Sequence, residues 1–174
     1  MVDRNKLKLK VISFNQDNLC YNHNGNNISP EIEINNTSIK PTSYALIIED
    51  PDAPINFIHW YLPYISPTIS KLNSLNMKSI NQNKQLNKSN LVKVKSGYNS
   101  LGEIGYHGPC NPQKILHRYF FRLYALNGIV DNLKISSSKD FEKYLLENNI
   151  QILDSDVIMY KYSNGGIPFL SITD

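Results

Sequence analysis

The chain has few of the features that mark export, membrane spanning or nucleic-acid binding. Only two of its 174 residues are cysteines, Cys20 and Cys110, and they form no Cys-x-x-Cys pair. No apolar run approaches the roughly 20 residues of a bilayer-spanning helix. The opening stretch MVDRNKLKLKVISF lacks the apolar core of a secretory signal. These absences lead to the expectation of a cytoplasmic protein whose two thiols are reduced. Arginine is scarce, with Arg4, Arg118 and Arg122 the only three among 18 basic residues, and the formal net charge is +3. Nucleic-acid binders gather their positive charge on one face. Here the lysines are scattered among Asn and Ser, so no nucleic-acid partner is expected, only weak peripheral attraction to anionic membranes. There is also no Gly-x-Ser-x-Gly elbow, no Gly-x4-Gly-Lys phosphate loop and no His-Glu-x2-His pair.

What is present reads mainly as β-structure. LKLKV (7–11), EIEI (31–34) and LVKVK (91–95) alternate apolar with charged residues. YALIIE (44–49), IHWYL (58–62), RYFFRLYAL (118–126) and DVIMYKY (156–162) are apolar or aromatic runs of strand length. Only SSSKDFEKYLLENN (136–149) reads as a helix, with serines as N-cap candidates and Phe141, Tyr144 and Leu145 at i, i+3, i+4. The pattern predicts a single, mostly antiparallel β-domain over 1–174 with a late helix. A polar, mobile loop is expected over about 70–90, where Asn and Lys dominate.

Two clusters can carry chemistry. In EDPDAPINFIHW (49–60), two prolines stiffen the turn between the end of one strand and His59 in the next. Asp50, at the strand end, is a pocket candidate, whereas Asp52 reads as a turn residue making Asx hydrogen bonds. In GYHGPCNPQKILHRY (105–119), glycines and prolines shape a loop that runs into a strand. On that strand His117 and Tyr119 share one face and Arg118 takes the other. Imidazole, phenol and the Gly108 N–H form a donor set for an anion with several oxygens, such as phosphate, and Asp50 is left to orient a histidine or to meet a ligand ammonium. Two other readings compete. His59, His107, His117 and Asp50 could ligate a metal, but no short ligand spacing supports one. Cys110 could pair with a histidine as a nucleophile, but its Pro-rich surroundings read as a rigid turn, so neither metal nor cofactor is expected.

YALIIEDPDAP, the His59-Trp60 pair, GYHGPC and HRYFFRLYAL occur in an order and spacing that resemble the phosphatidylethanolamine-binding protein family, also called the Raf kinase inhibitor protein family, and its short bacterial-type branch in particular. NISPEIEI resembles an earlier segment of that family. The resemblance implies a central antiparallel sheet packed on a second, smaller sheet, with a C-terminal helix. It also implies a small anion pocket made by Asp50, His59, Gly108, Pro109, His117 and Tyr119. His107 departs from the family pattern, which has a small residue there. The expected function is a non-enzymatic regulator. Its pocket would take a phospholipid headgroup, a nucleotide or a phosphorylated side chain, and it would modulate a kinase or protease. The alternatives are a small hydrolase using His117 or a Cys110–His dyad, and a scaffold with a vestigial pocket. Charged histidines facing a phosphate dianion would give an affinity peak in mildly acidic to neutral solution.

Overall fold

The computed structural model describes residues 6–74, 93–111 and 115–163, and the backbone of 170–172. Among these residues, two antiparallel sheets pack face to face. The smaller runs β1–β2–β5 and consists of β1 (Leu7–Ser13), β2 (Glu31–Asn36) and β5 (Lys71–Leu72). The larger runs β6–β4–β3–β7–β8–β9, from β3 (Ser43–Asp50), β4 (Phe57–Ile65), β6 (Val94–Lys95), β7 (His117–Leu126), β8 (Ile152–Tyr162) and β9 (Leu170–Ile172). The mostly antiparallel reading with a second, smaller sheet therefore holds. One local expectation changes. Lys71 and Leu72, placed in a loop, form an edge strand because Leu72 pairs with Ile32 and buries its side chain. The rest of that polar stretch, from 75 on, and Leu91 and Val92 lie outside the described residues.

Alternation decides the packing. In β1 and β2 the small sheet turns Leu7, Leu9, Ile32 and Ile34 inward and its lysines outward. They meet Tyr44, Leu46, Ile48, Leu62, Phe121 and Leu123 from the larger sheet, and Phe14 plugs the end of this core edge-on to Phe121 at 5.1 Å. The opposite face of the larger sheet presents Ala45, Ile47, Tyr61, Tyr124 and Leu126 to the helix α1 (Ser138–Glu147), through Phe141 and Leu145. Central strand β3 is covered on both faces, so all eight of its residues are buried and its 44–48 stretch reads as a continuous apolar run. The helix sits near the C-terminus between β7 and β8, where the late-helix reading placed it.

The start of α1 is fixed from the sheet. The Ser137 hydroxyl accepts from the Asp140 N–H at 3.1 Å. The Ser138 N–H, another donor left open by helix geometry, goes to the Glu49 carboxylate at 2.9 Å, and the Ser138 hydroxyl donates to it at 2.6 Å. Arg122 Nε donates to the same carboxylate at 2.7 Å. Burial works against the charge on Glu49, but the Ser138 and Arg122 hydrogen bonds outweigh it and hold the carboxyl below its ordinary value. Glu49→Ala strands the Arg122 guanidinium and leaves the Ser138 N–H and hydroxyl without their acceptor. It is expected to cost about 3–5 kcal/mol, the range for breaking one side of a buried pair, measured by denaturant unfolding. A loss under about 1 kcal/mol would show that this pair does not anchor the helix.

Candidate functional site

At one end of the larger sheet a pocket of about 250 Å³ opens between the β3–β4 turn, the 99–111 loop and the start of β7. Asp50, Phe57, His59, His107, Cys110 and His117 contribute to its wall, with Ala53, Pro54 and Leu101 making it largely apolar. Each polar group is placed by a local device. The Asp50 carboxylate closes its own turn, accepting from the Asp52 and Ala53 N–H groups at 2.9 and 3.2 Å. Its other oxygen accepts from His117 Nδ1–H at 2.6 Å, and both side chains are buried. Asp50 therefore orients His117, and its carboxylate is already engaged from three directions. Asp52 keeps a structural role: it takes the Arg118 N–H, Nε and guanidinium terminus at 2.7–2.9 Å, tying the turn to the start of β7.

His59 reaches the pocket through a break in strand pairing. Ile48 faces Trp60 across the β3–β4 ladder and Glu49 faces Ile58, so His59 is a bulged residue. Ile58 and Tyr61 consequently join the helix-side core while Trp60 joins the inter-sheet core, and His59 turns to the pocket. Its Nδ1–H donates to the His107 carbonyl at 2.7 Å, and the His107 N–H returns a bond to the His59 carbonyl at 2.8 Å. A carbonyl only accepts, so the proton of the neutral ring sits on Nδ1 and Nε2 carries the lone pair. That Nε2 is buried with no hydrogen-bond partner among the described residues. Burial pulls the His59 pKa down to about 3, aided by the charges of His107 and His117 and opposed by the bond to the His107 carbonyl. His59 is thus a neutral acceptor at pH 7, where a charged donor was expected. Burial also lowers His107.

Tyr119 shares the face of His117, as alternation requires, and packs its ring 5.4 Å from that of His59 and 6.5 Å from that of His117. It stands behind the pocket wall, with its hydroxyl buried and unpartnered among the described residues. Burial, then the Asp50 charge, pushes that phenol well above its ordinary range. Gly108 and Pro109 do not line the pocket. The Gly108 N–H, expected to be an anion donor, is used by Asn27 Oδ1 at 2.6 Å. A Cβ on Gly108 would run into the Asn18 carbonyl and Leu19, so glycine here serves close approach of two chain segments. Asn27, held at φ 51°, is the partner that residue typing did not single out. The tetrad His59, His107, His117 and Asp50 does not bring three ligand atoms around one ion position.

The reduced-thiol expectation is overturned. Cys20 and Cys110, 90 positions apart, form a disulfide with a Cα–Cα separation of 5.4 Å. The cause is the same close approach: the Cys20 N–H donates to the Pro109 carbonyl at 3.1 Å and Tyr106 Oη–H donates to the Asn18 carbonyl at 2.6 Å. In this state Cys110 has no thiol to act as a nucleophile.

The phosphatidylethanolamine-binding protein family model matches residues 3–162. The chain belongs to that family. Among curated proteins, members of the UPF0098 group are similar: one from Methanothermobacter thermautotrophicus is 34% identical over 148 residues, spanning 83% of this chain and 91% of the relative. Another, from Chlamydia muridarum, is 34% identical over 116 residues, 63% of this chain and 67% of the relative. Among solved structures, a candidate phosphatidylethanolamine-binding protein homolog from Chlamydia trachomatis superposes with a TM-score of 0.68 at 25% identity, covering 91% of this chain and 98% of that one. Escherichia coli YbcL shares the fold with the same TM-score and coverage at 21% identity. The likeness agrees with a short-branch phosphatidylethanolamine-binding protein fold. Among the described residues, no helix is long and apolar enough to cross a membrane.

The buried neutral imidazole makes this family member's stability depend on pH. Unfolded, His59 takes up a proton near its ordinary 6.5; folded, near 3. The stability linked to neutral His59 is whole above about 6.5 and is lost as pH falls toward 3. Between pH 7.5 and pH 5 the wild type is expected to lose about 2 kcal/mol more than His59→Asn, at 1.36 kcal/mol per unit. Urea unfolding at the two pH values measures this, and equal losses in both proteins would show that His59 is not held neutral.

Proposed function

We propose that this protein is a non-enzymatic binding and regulatory protein whose pocket takes a monoanionic phosphate group carrying a small alkyl substituent. The observation that carries this reading is the pair of oriented imidazoles: His117, locked by Asp50, and His59, with an open Nε2 lone pair, on the wall of one small apolar pocket. A phosphate monoanion has a hydroxyl to donate to His59 Nε2, and His117, with Nδ1 turned to Asp50, has Nε2 left to meet the same ligand. The pocket is smaller than the roughly 300–1,000 Å³ of most small-molecule sites. It therefore suits a headgroup or a phosphorylated side chain better than a whole nucleotide. A phosphorylated side chain, a phosphomonoester that keeps a hydroxyl for His59, is the route by which such a pocket would engage a kinase or protease; the phosphate of an intact phospholipid headgroup is a diester without that hydroxyl, so the membrane route is the weaker reading. The hydrolase alternative needs a nucleophile beside His117, and the Cys20–Cys110 bond withholds the nearest one.

The cytoplasm remains the proposed compartment, and it requires the Cys20–Cys110 bond to be opened or protected there. Thiol alkylation in intact cells reads its state.

Phosphorylethanolamine binding is expected to strengthen as pH falls from 8 to 6, by up to about tenfold per unit above the phosphate's second pKa near 6. His117→Ala should abolish it. A sulfate monoester, which has no proton to give His59, should bind more weakly. Titration calorimetry on wild type and mutant measures all three. A His117→Ala protein that binds like wild type would sink the pocket reading, and His117-dependent turnover of a phosphoester or carboxylic ester would replace it with the hydrolase.

A further inference from the structure

On the other side of Cys110 from the pocket lies a different cluster. Cys20, His23 and Cys110 each offer one ligand atom, and these atoms all lie within 4.8 Å of one another. We propose that, once the disulfide is reduced, Cys20, Cys110 and His23 bind a thiophilic metal ion, zinc or copper(I), and that the ion replaces the covalent cross-link between the same two segments.

The local geometry favours this set. Cys20 precedes a 3-10 turn formed by Tyr21–His23, and the His23 N–H donates to the Cys20 carbonyl at 3.1 Å. Three residues make one such turn, so side chains at i and i+3 fall on one side. Cys-x-x-His is therefore a chelating spacing here. Cys110 arrives from the distant loop to supply the third ligand. In the oxidised protein the two sulfurs are bonded to each other and the His23 ligand atom lies within 4.8 Å of both; once the bond is cut, the sulfurs need only part to the roughly 3.5–4 Å that a tetrahedral zinc, with Zn–S near 2.3 Å and Zn–N near 2.0–2.1 Å, sets between its ligand atoms. Two sulfurs and an imidazole are also the soft and borderline donors that zinc and copper(I) prefer to oxygen-seeking ions. Cys20 is buried while His23 and Cys110 are partly exposed, so an ion can enter and a water can complete the shell.

Reduction does not scatter the ligands. The two segments are held by bonds that do not involve sulfur: Cys20 N–H to Pro109 O at 3.1 Å, Gly108 N–H to Asn27 Oδ1 at 2.6 Å, Tyr106 Oη–H to Asn18 O at 2.6 Å and Asn27 N–H to Leu19 O at 2.9 Å. The chemistry balances in two steps. A dithiol reductant gives two electrons and two protons, the Cys20–Cys110 S–S bond breaks into two thiols, and the reductant closes to its own disulfide. The metal ion then displaces the two thiol protons to solvent and takes both thiolates and the neutral His23 ring. Reduced and empty, the chain loses the cross-link; reduced and loaded, it regains one.

The test uses the whole chain, reduced with a dithiol, freed of it by anaerobic gel filtration, and titrated with cobalt(II) and then zinc. One cobalt per chain is expected, with the visible bands of a tetrahedral site and thiolate-to-metal charge transfer, displaced by equimolar zinc. The oxidised protein should bind none, and His23→Ala or Cys20→Ser should lose at least tenfold in affinity. Zinc should also raise the thermal midpoint of the reduced wild type toward that of the oxidised form, but not that of His23→Ala. Circular dichroism before metal addition checks that each variant is folded, and His23, being partly exposed, is the variant least exposed to failure on that score. A reduced wild type without tetrahedral cobalt bands, or a folded His23→Ala with wild-type affinity and spectrum, overturns the proposal.

Discussion

Two adjacent carboxylates close strand β3, and the rest of the domain is arranged around the need to satisfy both. Successive strand residues point to opposite faces, so Glu49 enters the helix side and Asp50 the pocket side, and each is only 3% exposed. An isolated buried carboxylate is too costly to persist ionised, so each must be met by donors already in place. Arg122 and the first turn of α1 meet Glu49. The stiff turn at Asp52–Ala53 and His117 meet Asp50. One constraint on the backbone thus docks the helix and orients the His117 imidazole, and the strand cannot slip by one residue without exchanging the two carboxylates' surroundings.

The pocket's chemistry follows from which proton each ring can hold. Both histidines use Nδ1 toward an oxygen of the protein, a carbonyl for His59 and a carboxylate for His117. Both therefore have Nε2 left for a ligand. The two rings are held differently: His117 by a carboxylate, and His59 by a carbonyl in a site where burial keeps it neutral with its Nε2 lone pair open.

The strands, the helix with its Ser137 cap and the shared face of His117 and Tyr119 were legible because each depends on a local period or a local hydrogen bond. So was Asp50 as a strand-end pocket residue. What was not legible depends on contacts between distant segments or on a broken period. The bulge at His59 has no signature in FIHWYL, since apolar residues stand on both sides of it. Gly108 reads as a free donor until Asn27 is seen beside it. The disulfide was misjudged because reduced thiols were inferred from the absence of a secretory signal and of Cys-x-x-Cys spacing, while the packing of Leu19 against Gly108 that brings the sulfurs together is invisible in either loop alone. The Cys20-x-x-His23 spacing was in plain view but has no meaning until Cys110 arrives.

The central position of β3 has a consequence for how the chain is made. Its 44–48 stretch is apolar on both faces, and the strand hydrogen-bonds to β4 on one edge and to β7 on the other. Strand β4 follows at once, but β7 begins only at His117. At synthesis rates of about 5–20 residues per second, the second edge waits several seconds for its partner. During that interval an unpaired strand of Tyr, Ala, Leu and Ile is open to pairing with any other extended chain. The nascent chain therefore carries an open strand edge for that interval, and its yield on rapid expression should be governed by the interval more than by the stability of the finished fold.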